Sequence, residues 1–194
     1  MQHLGRIFTL IWQTRKVRDF PVKTEFSALV KRARAGDKEA FGALYGELYP
    51  DLYRFAYCAL RSAEDAEDAV AEAVTDAFYG IGKLRNEEAF KSWLFRITAV
   101  KCKKMQATYY HMAHESIQDL PLAAEAPQTE EFLDLQAAFA TLAPDERLIL
   151  SLSVFGGYNS ADIASMICVN RNTVRSKHSR SLQKMRELMK EDVS

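Results

Sequence analysis

The stretch IASMICVNRNTVRSKHSR, residues 163–180, decides how the chain reads. Asn159 or Ser160 can cap a short helix, ADIASMI, and a tight turn falls at CVN. Asn170 or Asn172 can then cap a longer helix, TVRSKHSRSLQKMREL. Two helices meeting steeply over so short a turn need a small residue where their backbones approach, which Ala164 supplies. They also need apolar wedges, supplied by Ile163, Ile167, Val169 and Val174. The longer helix turns Val174, Ser181, Met185 and Leu188 inward. Its leading end and outer face carry Arg171, Asn172, Thr173, Arg175, Ser176, Ser179 and Arg180. Arginine can grip guanine in two places, asparagine can do the same for adenine, and serine or threonine can bond a base edge or a phosphate. Lys177, Lys184 and Arg186 are better placed for phosphates. The competing reading is a solvated polar face on a structural hairpin, since helices with basic outer faces are common.

Upstream of this pair, RLILSLSVF (147–155) reads as strand or helix. Pro144 suits a first helical turn, Leu148, Leu152 and Phe155 share a helical face, and Gly156-Gly157 is a stop signal, so helix is expected. The first half of the chain is patterned as helix almost throughout. A helix from Phe26 to Ala35 stops at Gly36-Asp37. The next places Phe41, Leu44, Tyr45, Leu48, Leu52, Phe55 and Ala59 on one stripe, with Pro50 expected to kink or break it. Ser62 and Asp65 form a capping-box pattern ahead of EDAEDAVAEAVTDAFYGI, and WLFRITAVKCKK makes a fourth helix. Trp93 lies among Phe90, Leu94 and Ile97 and is expected in the core. Tyr45, Tyr49, Tyr53, Phe55 and Tyr57 read mostly as packing.

Residues 106–130 lose the periodicity and gather two prolines and much of the acid. The layout is therefore all-α: an extension (1–25), a helical domain (26–105), an acidic flexible linker (106–130) and a second small helical domain (131–194). The formal net charge is +0, yet residues 106–146 hold eight acidic side chains and no Lys or Arg, whereas 147–194 hold eight basic against four acidic. Such a chain should bind DNA weakly alone, and better when a partner occupies its acidic segment. Cys58, Cys102 and Cys168 show no ligand spacing and read as reduced, cytoplasmic thiols. No apolar run approaches the roughly 20 residues of a membrane span. The start places its apolar run before its basic residues, the reverse of a secretory signal.

The C-terminal stretch LAPDERLILSLSVFGGYNSADIASMICVNRNTVRSKHSRSLQKMREL resembles region four of bacterial RNA polymerase sigma factors of the extracytoplasmic-function group. The matching features are Leu142, Pro144 and Arg147, then Gly156-Gly157, Ile163-Ala164, and Thr173 to Ser176. DAEDAVAEAVTDAFYGIGKLR resembles the region-two helix that docks on the polymerase clamp, and FKSWLFRI (90–97) the segment after the promoter-melting loop. The resemblance spans about residues 26–190.

It implies that Arg171, Asn172, Thr173, Arg175, Ser176, Lys177, Ser179 and Arg180 meet the upstream, minus thirty-five element. To expose a template strand, the other strand must be trapped unpaired, which takes cations along its phosphates and a pocket for a flipped base. By the resemblance the pocket is the loop Leu84 to Ser92, with Asn86, Glu87, Lys91 and Ser92 bonding the base of the minus ten element. Arg96, Lys101, Lys103 and Lys104 hold the strand or the duplex edge. Asp68, Glu72 and Asp76 pair with a basic surface on the clamp. The implied partners are promoter DNA and core RNA polymerase, through its clamp and flap regions, with room for an anti-sigma protein. Tyr109 and Tyr110 anchor the start of the linker.

Three positions depart from the family pattern. Cys168 stands where helix-turn-helix units usually have glycine, and because a left-handed backbone disfavours Cys the turn is expected to adjust. His178 replaces a leucine and is expected to be half-buried and hydrogen-bonded. Val100 replaces a frequent asparagine, which weakens any strand contact carried over to that position. A stand-alone helix-turn-helix regulator with a helical sensor or dimerisation domain is the alternative function. No enzyme is expected, since no nucleophile, metal set or phosphate loop appears; no cofactor or metal is expected either, beyond adventitious binding at His111 and His114.

Overall fold

The computed structural model describes residues 23–115 and 130–191, all helices and turns with no strand among them. Eight α-helices follow in order: α1 (Lys23–Arg34), α2 (Lys38–Leu60), α3 (Ala63–Gly80), α4 (Phe90–Glu115), α5 (Glu130–Ala140), α6 (Pro144–Val154), α7 (Ser160–Ile167) and α8 (Arg171–Glu191). Two short 3-10 turns, Ile81–Lys83 and Glu87–Ala89, connect α3 to α4.

The ends of these helices follow local chemistry. Gly36, at φ 98°, ends α1 in a conformation open to glycine. Asp37 then caps α2 by accepting from the Ala40 N–H at 3.0 Å. Ser62 caps α3 through the Asp65 N–H at 3.2 Å. Pro144 occupies the first turn of α6, and Asn159 caps α7 by accepting from the Ala161 and Asp162 N–H groups.

Three local expectations are corrected. Of the kink or break expected at Pro50, the break does not occur, since α2 continues through it; packing along its length outweighs the one ladder bond that proline removes. Helix α4 runs to Glu115, so the first ten residues of the expected linker are helical, while 116–129 lie outside the described residues, as do residues 1–22 of the expected extension. Cys168 takes the left-handed conformation that the sequence disfavours, at φ 53° and ψ 53°, its N–H bonded to the Ala164 carbonyl. The turn therefore does not adjust, and Cys168 bears a backbone cost of about 1–2 kcal/mol that glycine would not.

Helices α2, α3 and α4 pack on one another, with α1 across α2 and the two 3-10 turns. Helices α6, α7 and α8 form the second unit, with α5 against α8. The units do not stand apart: α6 lies on α2 and α4, and α7 lies on α4, so the buried side chains form one continuous core. This explains why Phe55, Ala56, Tyr57, Cys58 and Ala59 are all buried in sequence. A helix with one covered face cannot bury five consecutive residues; α2 is covered on opposite sides at its C-terminal end.

The junction has an apolar part and a polar part. The Tyr158 ring meets Phe95 edge-on, with centroids 5.8 Å apart. The Ala59 carbonyl, an unpaired acceptor near the end of α2, takes bonds from Gln106 Nε2 (2.9 Å) and Arg147 Nε (3.2 Å). Gln106 also donates to the Pro144 carbonyl at 2.9 Å. Burial, with Arg61 nearby, pulls the Arg147 guanidinium down to about 10, so it stays charged at neutral pH.

Gly156 makes this junction possible. A Cβ there would lie 2.3 Å from the Tyr158 ring and 2.8 Å from the Leu152 carbonyl oxygen. Since that ring is held by Phe95, Gly156→Ala is expected to destabilise the chain by about 1–3 kcal/mol, lowering Tm by several degrees in a thermal melt.

Candidate nucleic-acid interface

Helix α8 is fixed in direction by its first turn. Asn170 caps it, its Oδ1 accepting from the Asn172 N–H at 2.8 Å. Val174, Ser181 and Met185 are buried against the rest of the unit; the fourth expected inward residue, Leu188, has no described side chain. Arg171, Asn172, Thr173, Arg175, Ser176, Ser179 and Arg180 are all exposed on the leading turns, as a helix entering a major groove requires.

The lysines behave differently. Lys177 forms an ion pair with Asp145, and Lys184 Nζ lies 2.8 Å from Glu146. Glu146 is buried and also caps α6 through the Ala143 N–H at 3.2 Å. Against the upward push of burial, its bonds to Lys184 and Ala143 hold the carboxyl below its usual range. These lysines therefore pin α8 onto the first turn of α6. His178 is half-buried, its Nε2 3.0 Å from Ser153 Oγ.

The loop between α3 and α4 is held by its own bonds. Asn86 Oδ1 accepts from the Glu88 N–H (3.0 Å), the Asn86 carbonyl accepts from the Ala89 N–H (3.1 Å), and Ser92 Oγ donates to the Ala89 carbonyl (2.9 Å). Glu87 is gripped from another helix: Arg34 Nη1 lies 2.5 Å from its Oε1. Its own backbone N–H, then the Arg34 and Lys31 charges, hold the Glu87 carboxyl below its usual range despite desolvation. Lys91 lies 4.0 Å from Asp51 and 5.8 Å from the Phe95 ring centre, and burial lowers its pKa. Trp93 is half-buried, its ring against Phe90 and over Gly80.

Of the four cations expected along the melted strand, Arg96 and Lys104 are exposed on α4. Lys101 turns to α3, with Nζ 2.7 Å from Asp76 and 3.0 Å from Glu72, and those carboxylates raise its pKa. Lys103 Nζ donates to the Ile167 carbonyl at 2.7 Å, at the end of α7 beside the helix-turn-helix turn. Asp68, Glu72 and Asp76 are exposed on one side of α3. At the head of α3, Asp65 accepts from Tyr109 Oη at 2.6 Å, which pushes the tyrosine up to about 12. Tyr109 thus ties the far end of α4 to α3; the side chain of Tyr110 lies outside the described residues.

Sequence reasoning missed Arg34 and the junction residues Phe95, Gln106 and Tyr158, and marked Arg147 only as a family-pattern residue without its place at the junction. The signal for the junction was present in FAYCAL (55–60), a helical turn and a half with no polar face. No such signal marks Arg34, whose partner is 53 residues away.

Two family models match the chain: Sigma-70 region 2 over residues 44–107 and Sigma-70, region 4 over residues 132–185. Among curated proteins, the ECF RNA polymerase sigma factor SigM of Mycobacterium tuberculosis is 31% identical over 156 residues, covering 80% of each chain. RNA polymerase sigma factor SigV of Bacillus subtilis is 32% identical over 148 residues, covering 74% of this chain and 88% of SigV. Among solved structures, RpoE of Bartonella quintana, in complex with the anti-sigma factor NepR, aligns with a TM-score of 0.65 at 23% identity. That alignment covers 77% of this chain and 96% of RpoE. CnrH, in complex with the cytosolic domain of CnrY, aligns with a TM-score of 0.62 at 19% identity over 86% of this chain and 98% of CnrH.

Proposed function

The chain belongs to the extracytoplasmic-function group of RNA polymerase sigma factors, with a region 2 and a region 4, and from that premise we propose how its residues divide the work. Region 4 reads the upstream element with Arg171, Asn172, Thr173, Arg175, Ser176, Ser179 and Arg180, while Lys177 exchanges Asp145 for a phosphate. Region 2 receives the flipped base in the loop Leu84–Ser92, with Glu87, Asn86, Lys91 and Ser92 around it. Arg96, Lys101, Lys103 and Lys104 hold the displaced strand. Asp68, Glu72 and Asp76 dock on the polymerase clamp. The two working units are residues 26–105 and 131–194. The chain acts in the cytoplasm as a non-catalytic subunit, and, by likeness to RpoE, an anti-sigma protein is a further partner.

The observation that carries this reading furthest is the packing of α6 and α7 onto α2 and α4. Elements at minus thirty-five and minus ten lie about 25 base pairs apart, roughly 85 Å of duplex at ~3.4 Å per step. A chain whose α4 touches its α7 cannot hold both. The packed form is the resting state, and Lys103, bonded to the Ile167 carbonyl, is withheld from DNA in it. Polymerase supplies the differential affinity that opens the chain.

Gln106→Ala combined with Arg147→Ala tests this directly, since it removes both donors from the Ala59 carbonyl. Losing these bonds costs the closed form about 1–3 kcal/mol. The purified variant, without polymerase, is expected to bind a promoter duplex carrying both elements roughly 5- to 150-fold more tightly than the unaltered chain, because only the open chain can engage both at once. Unchanged affinity would show that the junction does not restrain DNA binding. Tight, selective binding by the unaltered chain as a dimer would instead support a stand-alone regulator.

A further inference from the structure

Helix α1 lies outside both stretches matched by the family models, yet its last turn reaches the base-capture loop. Arg34 Nη1 meets Glu87 Oε1 at 2.5 Å, and Lys31 on the same turn adds positive potential there. Arg34 Nε is buried with no acceptor among the described residues. A buried donor left unpaired works against stability, so the arginine is poorly explained as a fold-stabilising residue. Its clearest structural effect is to fix where the Glu87 carboxylate points. Asn86, Glu88, Ala89 and Ser92 are held by bonds within their own turns. Glu87 is bonded by its side chain to α1, while Phe90 meets that helix through apolar ring packing on Phe26, with centroids 6.1 Å apart.

We propose that Arg34 is a positioning residue for base selection: by occupying Oε1 of Glu87 it leaves Oε2 as the acceptor offered to the extruded base. A lone carboxylate oxygen accepts from an exocyclic amino group and is repelled by a carbonyl oxygen in the same place. The loop therefore selects an adenine or a cytosine, through N6 or N4, over thymine. Loss of Arg34 frees the carboxylate to rotate, and the preference broadens. This inference rests on the reading of Leu84–Ser92 as the capture loop.

The test uses the full chain with core RNA polymerase and a duplex library randomised across the melted element, scored by the bases enriched in open complexes. The unaltered chain is expected to enrich adenine or cytosine at one position. Arg34→Gln is expected to reduce that enrichment at least fivefold with polymerase affinity and Tm unchanged, and Arg34→Lys to restore most of it. In a Glu87→Gln background, Arg34→Gln is expected to add nothing, because the two residues act as one unit. Equal enrichment by the unaltered chain and Arg34→Gln would overturn the inference and leave the capture loop standing. Lost Tm and polymerase affinity with the preference intact would mark a structural residue and overturn it as well. An unaltered chain that enriches no base at all would remove the loop assignment and this inference together.

Discussion

Asp68→Lys combined with Glu72→Lys is expected to weaken binding to core RNA polymerase by at least about 100-fold in a direct affinity measurement. Both carboxylates are exposed on one side of α3, on a helix whose opposite side carries the buried Ala66, Ala69, Val70, Ala73 and Ala77. Their charge adds little to the fold, since both side chains are exposed and Lys101, the partner of Glu72, also pairs with Asp76, so reversal should change the melting temperature only slightly. A basic clamp surface meeting two lysines would experience like-charge juxtaposition, which costs several kcal/mol, at about 1.4 kcal/mol per tenfold. One local compensation has to be separated out: Lys101 loses Glu72 as a partner but keeps Asp76 at 2.7 Å. The control is Glu72→Gln, which removes that partner without adding a repulsive charge and is expected to cost under tenfold. The defect of the double variant should also shrink in high salt, since exposed charges are screened within about 10 Å at 0.1 M.

The second large effect belongs to Arg175. It is exposed on the first turns of α8, directly after the buried wedge Val174, so its side chain projects from a helix whose rotation is fixed by packing. A guanidinium bonded to both acceptors of a guanine is worth about 1–3 kcal/mol of discrimination. Arg175→Ala is thus expected to lower use of the upstream element by roughly 5- to 150-fold, with polymerase affinity unchanged. Lys177→Ala should cost less and should act equally on all sequences, because its ammonium is already shared with Asp145 and its proposed DNA contact is a phosphate. If Arg175→Ala impaired polymerase binding while the α3 reversal impaired only promoter choice, the division between the two units would be inverted.

The all-α architecture was legible in the sequence because its signals are local: capping by Ser62 and Asn159, a stop at Gly36, and stripes at helical spacing. So were the outward residues of α8, since burial of Val174 settles which way Arg175 and Ser176 face. The misses share one cause, that long-range packing overrides local preference. Helix α4 runs into the polar linker as far as Glu115, with Tyr109 bonded to Asp65 and Gln106 bonded to two carbonyls along the way. Cys168 holds a left-handed conformation because α7 and α8 both have to pack. Lys101 and Lys103 were read as cations along the melted strand; in the structure one is turned to α3 and the other to the end of α7, which no spacing reveals. The same holds for Arg34, whose meeting with Glu87 exists only once α1 has folded across the loop.

That regions 2 and 4 rest against each other in the free chain and part on the polymerase can be measured as a distance. Cys58 and Cys102 are buried, so with Cys168→Ser in place, spin or dye labels go to cysteines at the exposed positions Glu39 on α2 and Glu187 on α8. The free chain should give one narrow distance distribution. Adding core polymerase and promoter should lengthen it by tens of ångströms, toward the roughly 85 Å that separates the two elements. A distance that is already long and broad in the free chain, or one unchanged in the promoter complex, would contradict the closed resting state.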